Sequence, residues 1–325
     1  MNSASAILSS SMSAPKIALL VPCHNAAIFL PRLWATVRAQ SIPFAEVLVY
    51  DDASTDGTSS VARELGATVI HSDVNQGPGA GRNRLLAETH CPWVHFHDAD
   101  DALHPDFVDR MSARATYDDA DAILCQVDWL DDVTGRTVLR WRYNDAIYRT
   151  PAAPADMLVN IIGGIGGLYR TATLRAIGGF RPQLRYWEDL DLHLRLWCSG
   201  ARIRVEDTVL SFANRRSDST SNANLVSVWR AKTMLLAEYL DDPGLAPLIT
   251  SAIARESEAI LNRQLDLDDH IGARASLNLA LRAGADCPTT ASSLLRMIRP
   301  FIGRWLSTRL QHHIRRRISA RSVHP

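Results

Sequence analysis

An α/β fold with a mostly parallel sheet, followed by a helical C-terminal region, is predicted by three observations. Short apolar runs of strand length alternate with longer stretches of helix-like apolar spacing. Polar clusters, two of them acid-rich, stand directly after three of those runs. Beyond residue 222 the strand-like runs stop and helical spacing continues alone.

The opening stretch MNSASAILSSSMSAP has neither a basic start nor a real apolar segment, so residues 1–15 are expected to be a flexible tail rather than a signal peptide. Strands are expected at IALLV (17–21), EVLVY (46–50), ATVIH (67–71) and WVHFH (93–97). Helical spacing fills 27–39, 57–65 and 79–89 between them. This βαβα order implies parallel strands with helices on both faces. A further strand is expected at 121–128 and a hairpin near 133–142. Residues 151–215 hold the glycine-rich GGIGGLYR, the turn IGGF and a helix from 187 to 199. Helices then follow at 224–240, 245–264 and 268–283, with an arginine-rich one over 290–318. The resulting division is a catalytic domain over 16–222 and a helical region over 223–325.

With 325 residues, 46% of them hydrophobic and 22% charged, the chain has material for a substantial core. Lys+Arg and Asp+Glu balance at 35 each, which gives no argument for nucleic acid as a partner. The distribution is uneven: residues 287–325 hold eight arginines and no acid. The five cysteines are odd in number and show no CxxC spacing, so neither a disulfide framework nor a zinc site is expected, and a cytoplasmic location follows. No window of about 18 apolar residues offers a transmembrane helix.

In open parallel sheets, ligands bind beyond the carboxyl ends of the strands. PCHN (22–25), DDASTDGT (51–58) and DADD (98–101) lie at such ends, so they are expected to converge on one acidic crevice. Close carboxylates repel, and one is forced to keep a proton unless a cation neutralises the site. Oxygen ligands of this kind suit Mg²⁺ or Mn²⁺, which commonly takes one or two carboxylates and completes its shell with substrate phosphates and water. The competing explanation for each acidic pair is a helix cap or turn, and Asp56 is assigned to an Asx-type turn.

VPCHN, VYDDASTDGT, NQGPGAGRN, FHDADD and EDLDLHLRL occur in an order and spacing that resembles the family 2 inverting glycosyltransferases over about residues 16–220. The resemblance implies a Rossmann-like nucleotide-diphospho-sugar transferase domain. Pro22, Asn25, Asp51 and Asp52 would then hold the nucleoside, with Asp52 accepting the imide N–H of a uracil base. Asp98 would lie beside the ribose and the metal, and Asp100 would coordinate the metal directly, while Asp101 opens the next turn. Arg82 would steady a phosphate or the acidic cluster, a surface ion pair being the alternative, and Asn83 reads as a helix-start residue. His95 and His97 show nothing that favours them as ligands.

The resemblance also points to Asp189 as the general base that deprotonates the acceptor hydroxyl, with Glu188 on the acceptor side. An acidic pair at a helix start is favoured by the helix dipole in any protein, so the pair alone is not diagnostic. Gly163 to Gly167 either leave room for donor sugar and acceptor or form a mobile loop. Many relatives have a histidine where Arg216 stands, which puts a metal-binding role there in doubt.

The expected activity is metal-dependent transfer from a nucleotide-sugar donor, a UDP-sugar, to a glycan or lipid-linked acceptor in bacterial surface glycan synthesis. Two alternatives stand beside it. A sugar nucleotidyltransferase would want a glycine-rich, cationic loop after the first strand, and PCHNAAIF supplies none. A catalytically inactive binding module would not need the carboxylates at 98, 100 and 189. The arginine-rich last helix either lies peripherally on an anionic membrane leaflet or packs its apolar stripe on the domain.

Overall fold

The computed structural model describes residues 15–160, 163–215, 224–285 and 303–315. The first half follows the expected alternation: β1 (Ile17–Cys23), α1 (Leu30–Arg38), β2 (Glu46–Asp52), α2 (Thr58–Leu65), β3 (Thr68–Ser72), α3 (Pro78–Glu88) and β4 (Trp93–Phe96). Local chemistry sets the boundaries. Prolines occupy the first turns of α1 and α3, where a missing N–H costs nothing, and Gly66 closes α2 at φ 101°. The chain continues with β5 (Ala102–Leu103), α4 (Phe107–Tyr117), the hairpin β6 (Ala122–Asp131) and β7 (Thr137–Trp141), then α5 (Asp145–Tyr148) and α6 (Ala153–Val159). After β8 (Gly167–Arg170) come α7 (Thr171–Ala176), α8 (Glu188–Cys198) and β9 (Ile203–Arg215).

The sheet runs β3-β2-β1-β4-β8-β6-β9-β5, with β7 paired to the outer part of β6. β1 to β4 are mutually parallel where they pair, β6 and β9 are parallel, and β8 lies antiparallel between β4 and β6. Three of these strands, the two-residue β5, β8 and β9, are absent from the sequence expectation. β8 has only four residues. β9 spans 13 residues, but its register with β6 shifts between Cys125 and Val127, and this irregularity interrupts the two-residue alternation that marks a strand.

β1 is an unbroken apolar run because both faces of the sheet are covered. Ile17, Leu19 and Val21 enter one core with Leu33, Phe107 and Met111, while Ala18 and Leu20 enter the other with Leu85 and Leu194. That second core does not end at residue 222. Helices α9 (Leu225–Leu240), α10 (Ala246–Asp266) and α11 (His270–Arg282) contribute Leu235, Leu236, Ile253, Ile260 and Leu279 to it. The helical region is thus continuous with one face of the sheet.

A last helix, α12, covers residues 303–315; the remainder of the 290–318 expectation lies outside the described residues. Trp305 packs against the cluster of Leu261, Leu265, Ala273 and Leu277. Ser307, Thr308 and Gln311 are buried, whereas Leu306, Leu310 and Ile314 are 52%, 39% and 40% exposed. Among the described residues no helix is long and apolar enough to cross a membrane.

Candidate active site

β1 and β2 leave the sheet side by side, with Cys23 opposite Asp51. The two loops are sewn together by side chains. Asn25, at φ 51°, accepts from the Thr55 N–H at 2.8 Å, and its own N–H donates to Ser54 Oγ at 2.9 Å. Asp51 accepts from the Ser54 N–H at 3.1 Å and from the Ser59 hydroxyl. Burial would raise its pKa, but these hydrogen bonds outweigh burial and hold it below the ordinary carboxylate value. Asp52, also buried, accepts from the N–H groups of Gln76 at 2.8 Å and Gly77 at 2.7 Å, and so fixes the entry to α3. Asp56 accepts from the Thr58 and Ala27 N–H groups, the turn role expected of it. Pro22 and Tyr50 meet α3 at Gly81, where an added Cβ would stand 2.8 Å from the Tyr50 ring.

At the end of β4 the same crevice turns sharply acidic. A cavity of about 330 Å³ is walled by Asp98, Asp100, Trp141, Trp187, Glu188 and Asp189, with Arg82 at its base. Arg82 is 5% exposed, which removes the surface-ion-pair reading. It donates to Glu188 Oε1 at 2.9 Å and to Asp98 Oδ1 at 3.1 Å, and its guanidinium lies over the Phe180 ring. Burial acts to lower its pKa, but three carboxylates from two chain segments, Asp98, Asp189 and Glu188, raise it. Asn83 is no helix-start residue: within α3, it accepts from the Phe180 N–H and donates to the Phe180 carbonyl, each at 2.8 Å, pinning the IGGF turn beneath Arg82.

Asp189 differs from every other carboxylate in the crevice. Oδ2 accepts from the Gly164 N–H at 3.0 Å, and Oδ1 is buried with no hydrogen-bond partner. Burial pushes its pKa up to about 7; Arg82 and the Gly164 N–H oppose the rise, and Glu188 and Asp98 add to it. A carboxyl poised there at neutral pH can accept a proton from a hydroxyl. The glycine run is what lets the wall close around it. A Cβ on Gly163 would meet the Trp141 ring at 2.5 Å, and one on Gly164 would meet Asp189 Oδ1 at 3.1 Å. All of Gly163 to Gly167 is buried, so the run is a packed wall rather than a mobile loop.

Asp100 lines the cavity, and its backbone carbonyl is held by Arg32 and by the Asn214 side chain. Asp101 is 6% exposed and accepts from the Asn214 N–H at 2.7 Å, tying this loop to β9. Its pKa is raised well above the ordinary value by burial and by Asp98 and Asp100. Among the described residues no three His, Cys, Asp or Glu side chains are grouped to hold a metal ion. The hard oxygens of Asp98 and Asp100 do suit Mg²⁺ or Mn²⁺ in the arrangement that takes two carboxylates and leaves the remaining positions to phosphate and water. His95 and His97 are fully buried and bonded to each other at 3.1 Å.

The structure therefore brings Arg82, Asp98, Asp100, Glu188 and Asp189 into one cavity, while Pro22, Asp51 and Asp52, at the ends of β1 and β2, and Asn25, in the loop after β1, are not on its walls. Arg216 lies outside the described residues. The aromatic wall of Trp129, Trp141 and Trp187 has no sequence signal beyond Trp187 preceding the acidic pair.

The family model described as Glycosyl transferase family 2 matches residues 18–176. Succinoglycan biosynthesis protein ExoU of Rhizobium meliloti is 27% identical over 311 residues, 86% of this chain and 86% of that protein. Poly(ribitol-phosphate) beta-N-acetylglucosaminyltransferase TarS of Staphylococcus aureus is 27% identical over 225 residues, 65% of this chain but 38% of its own length. The crystal structure of S. aureus TarS 1-349 in complex with UDP-GlcNAc superposes with a TM-score of 0.56 at 20% identity, covering 83% of this chain and 90% of that one. Mannosyltransferase PcManGT from Pyrobaculum calidifontis, in complex with GDP-Man and Mn2+, gives 0.59 at 18% identity, covering 93% and 86%.

Proposed function

The chain is a glycosyltransferase whose residues 18–176 belong to family 2, and from that premise we propose that it transfers a sugar from a UDP-sugar to a glycan hydroxyl with inversion, using Asp189 as base. The observation that carries this reading is the environment of Asp189: buried in the cavity wall, with one oxygen unpartnered and a pKa near neutrality, across from Asp98 and Asp100. The acceptor O–H attacks the anomeric carbon on the face opposite the diphosphate. Its proton goes to Asp189, and the anomeric C–O bond breaks with its electron pair leaving on the nucleoside diphosphate. Arg82 pairs with both Glu188 and Asp98 and keeps their negative charge tolerable beside Asp189. Asp98 and Asp100 would hold Mg²⁺ or Mn²⁺, which supplies positive charge to the leaving diphosphate. Pro22, Asn25, Asp51 and Asp52 belong to the nucleoside side; for Asp52 this adds to the backbone contacts it already makes.

The names of the similar proteins, succinoglycan biosynthesis and poly(ribitol-phosphate) N-acetylglucosaminyl transfer, support an acceptor in surface glycan synthesis; that it is a glycan or a lipid-linked chain is part of the proposal. A cytoplasmic enzyme in peripheral contact with an anionic membrane fits α12, where Leu306, Leu310 and Ile314 are exposed beside Arg304 and Arg309. A panel of UDP-glucose, UDP-galactose, UDP-GlcNAc and GDP-mannose, with and without Mn²⁺, tests the donor and the metal. One UDP-sugar should release UDP in a Mn²⁺-dependent way and Asp100→Ala should lose that dependence; metal-independent turnover, or preference for GDP-mannose, overturns the corresponding part. Wild-type protein should sediment with phosphatidylglycerol vesicles and Leu306→Glu/Leu310→Glu should not; equal binding by both counts against the membrane contact.

A further inference from the structure

Trp187 directly precedes Glu188 and Asp189, and its backbone is left-handed, φ 65° and ψ 18°. A bulky L-residue keeps that conformation only when its surroundings impose it. Here the surroundings come from the helical region. The indole Nε1–H donates to the Val228 carbonyl at 2.7 Å, the ring lies 5.6 Å from Trp229, and the Lys232 ammonium stands 4.5 Å from the ring centroid.

Lys232 is one of only two lysines in the chain and is 1% exposed. Its ammonium pairs with Glu256 at 2.6 Å and donates to the Leu158 carbonyl at 3.3 Å. Burial disfavours the charged form and lowers its pKa, while Glu256 opposes that shift. An apolar side chain of similar length would fill this place without a desolvation penalty, so packing alone does not account for a buried cation here. Its face-on contact with an aromatic ring at the rim of the cavity does.

We propose that Lys232 is a positioning residue for sugar transfer: held by Glu256, it fixes the Trp187 ring, and through it the start of α8 that sets the Asp189 carboxyl against Gly164. α9 and α10 are then part of the catalytic apparatus, although they lie beyond the segment that matches the family model. The proposal rests on the reading of Asp189 as the base, and the test separates the two.

Lys232→Met, Lys232→Arg and Trp187→Phe are compared with wild type and with Asp189→Asn by UDP release from the UDP-sugar that the donor panel selects. Lys232→Met keeps the stem but loses the cation, and Trp187→Phe keeps a ring but loses the bond to Val228. Each should lower kcat about tenfold or more, the scale of a slightly misplaced catalytic group, with donor KM and Mn²⁺–UDP affinity within about twofold. Lys232→Arg, which restores a cation over the ring, should recover most of kcat. Wild-type kcat in both Lys232→Met and Trp187→Phe overturns the proposal. So does a parallel fall of kcat, nucleotide affinity and Tm that arginine fails to rescue, since that marks a merely structural residue. Should Lys232→Met not fold, Trp187→Phe decides alone. Full turnover in Asp189→Asn sinks the base assignment, whereas an inactive Asp189→Asn beside fully active Lys232→Met and Trp187→Phe sinks only the positioning role.

Discussion

The ends of β1 and β2 with the loops that follow them, and the wall around Asp189, use the same side chain to opposite ends. Asp51, Asp52 and Asp56 are surrounded by N–H and O–H donors, and those around Asp51 and Asp56 hold these two below the ordinary carboxylate range. Asp189 receives one backbone N–H, has a second oxygen with none, and is pushed up to about 7. Burial acts in the same direction on each group whose titration is shifted. Burial is deep at Asp189 while Asp56 is exposed, and donors are many around Asp51 and Asp56 but few at Asp189, so depth of burial and donor count together set the sign.

The contrast breaks most severely at Asp189 itself. Asp189→Asn keeps the shape and removes the basicity, so kcat should fall about 100- to 10,000-fold, with Mn²⁺–UDP affinity unchanged by calorimetry. Giving the wall a methyl group is the next largest change. Gly164→Ala places a carbon 3.1 Å from Asp189 Oδ1, and a loss of about tenfold or more in kcat is expected without loss of nucleotide binding.

At the ends of β1 and β2 the reading should be stability rather than rate alone. Asp52→Ala leaves the Gln76 and Gly77 N–H groups without their acceptor and should cost about 1–3 kcal/mol in urea denaturation. The last two effects are in the pH dependence of Tm, and their signs are opposite. Asp51 is depressed in the folded state, so its contribution is complete above the unfolded value of 3.8 and is lost as pH falls through the folded value. Asp51→Asn should therefore lie below wild type at pH 7, with the gap closing in acid. Asp189 is raised, so stability present below 3.8 is lost as pH rises to about 7, where the folded chain must carry the charge among Arg82, Glu188 and Asp98. Asp189→Asn should melt above wild type at pH 8, with the gap narrowing toward pH 5; kcat/KM of the wild type should rise through about pH 7 over the same interval.

The first four strands and three helices were legible because apolar periodicity is a local property of the chain. β9 was not, since its irregular register with β6 breaks that periodicity, and β8 is too short to carry any. Asp98, Asp100, Glu188 and Asp189 could be singled out by motif and position, and the structure gathers them with Arg82. Asn83, read as a helix start, is a staple for the Phe180 turn, and the glycine run, open to two readings, is a packed wall. Neither could be read locally, because the partner of Asn83 lies 97 residues away.

By itself the sequence determined the alternation of strands and helices, the placing of acidic clusters at strand ends and the helical character of the C-terminal third. The tertiary structure alone decided which carboxylates are ringed by donors and which keeps a buried oxygen without one, that Arg82 is buried, and that the helical region reaches the rim of the cavity through Trp187. The physical reason is that desolvation and donor count belong to no single segment. Asp189 takes its donor from 25 residues away, Arg82 meets Glu188 across 106, and only packing of such distant pieces fixes how strongly a charge is disfavoured.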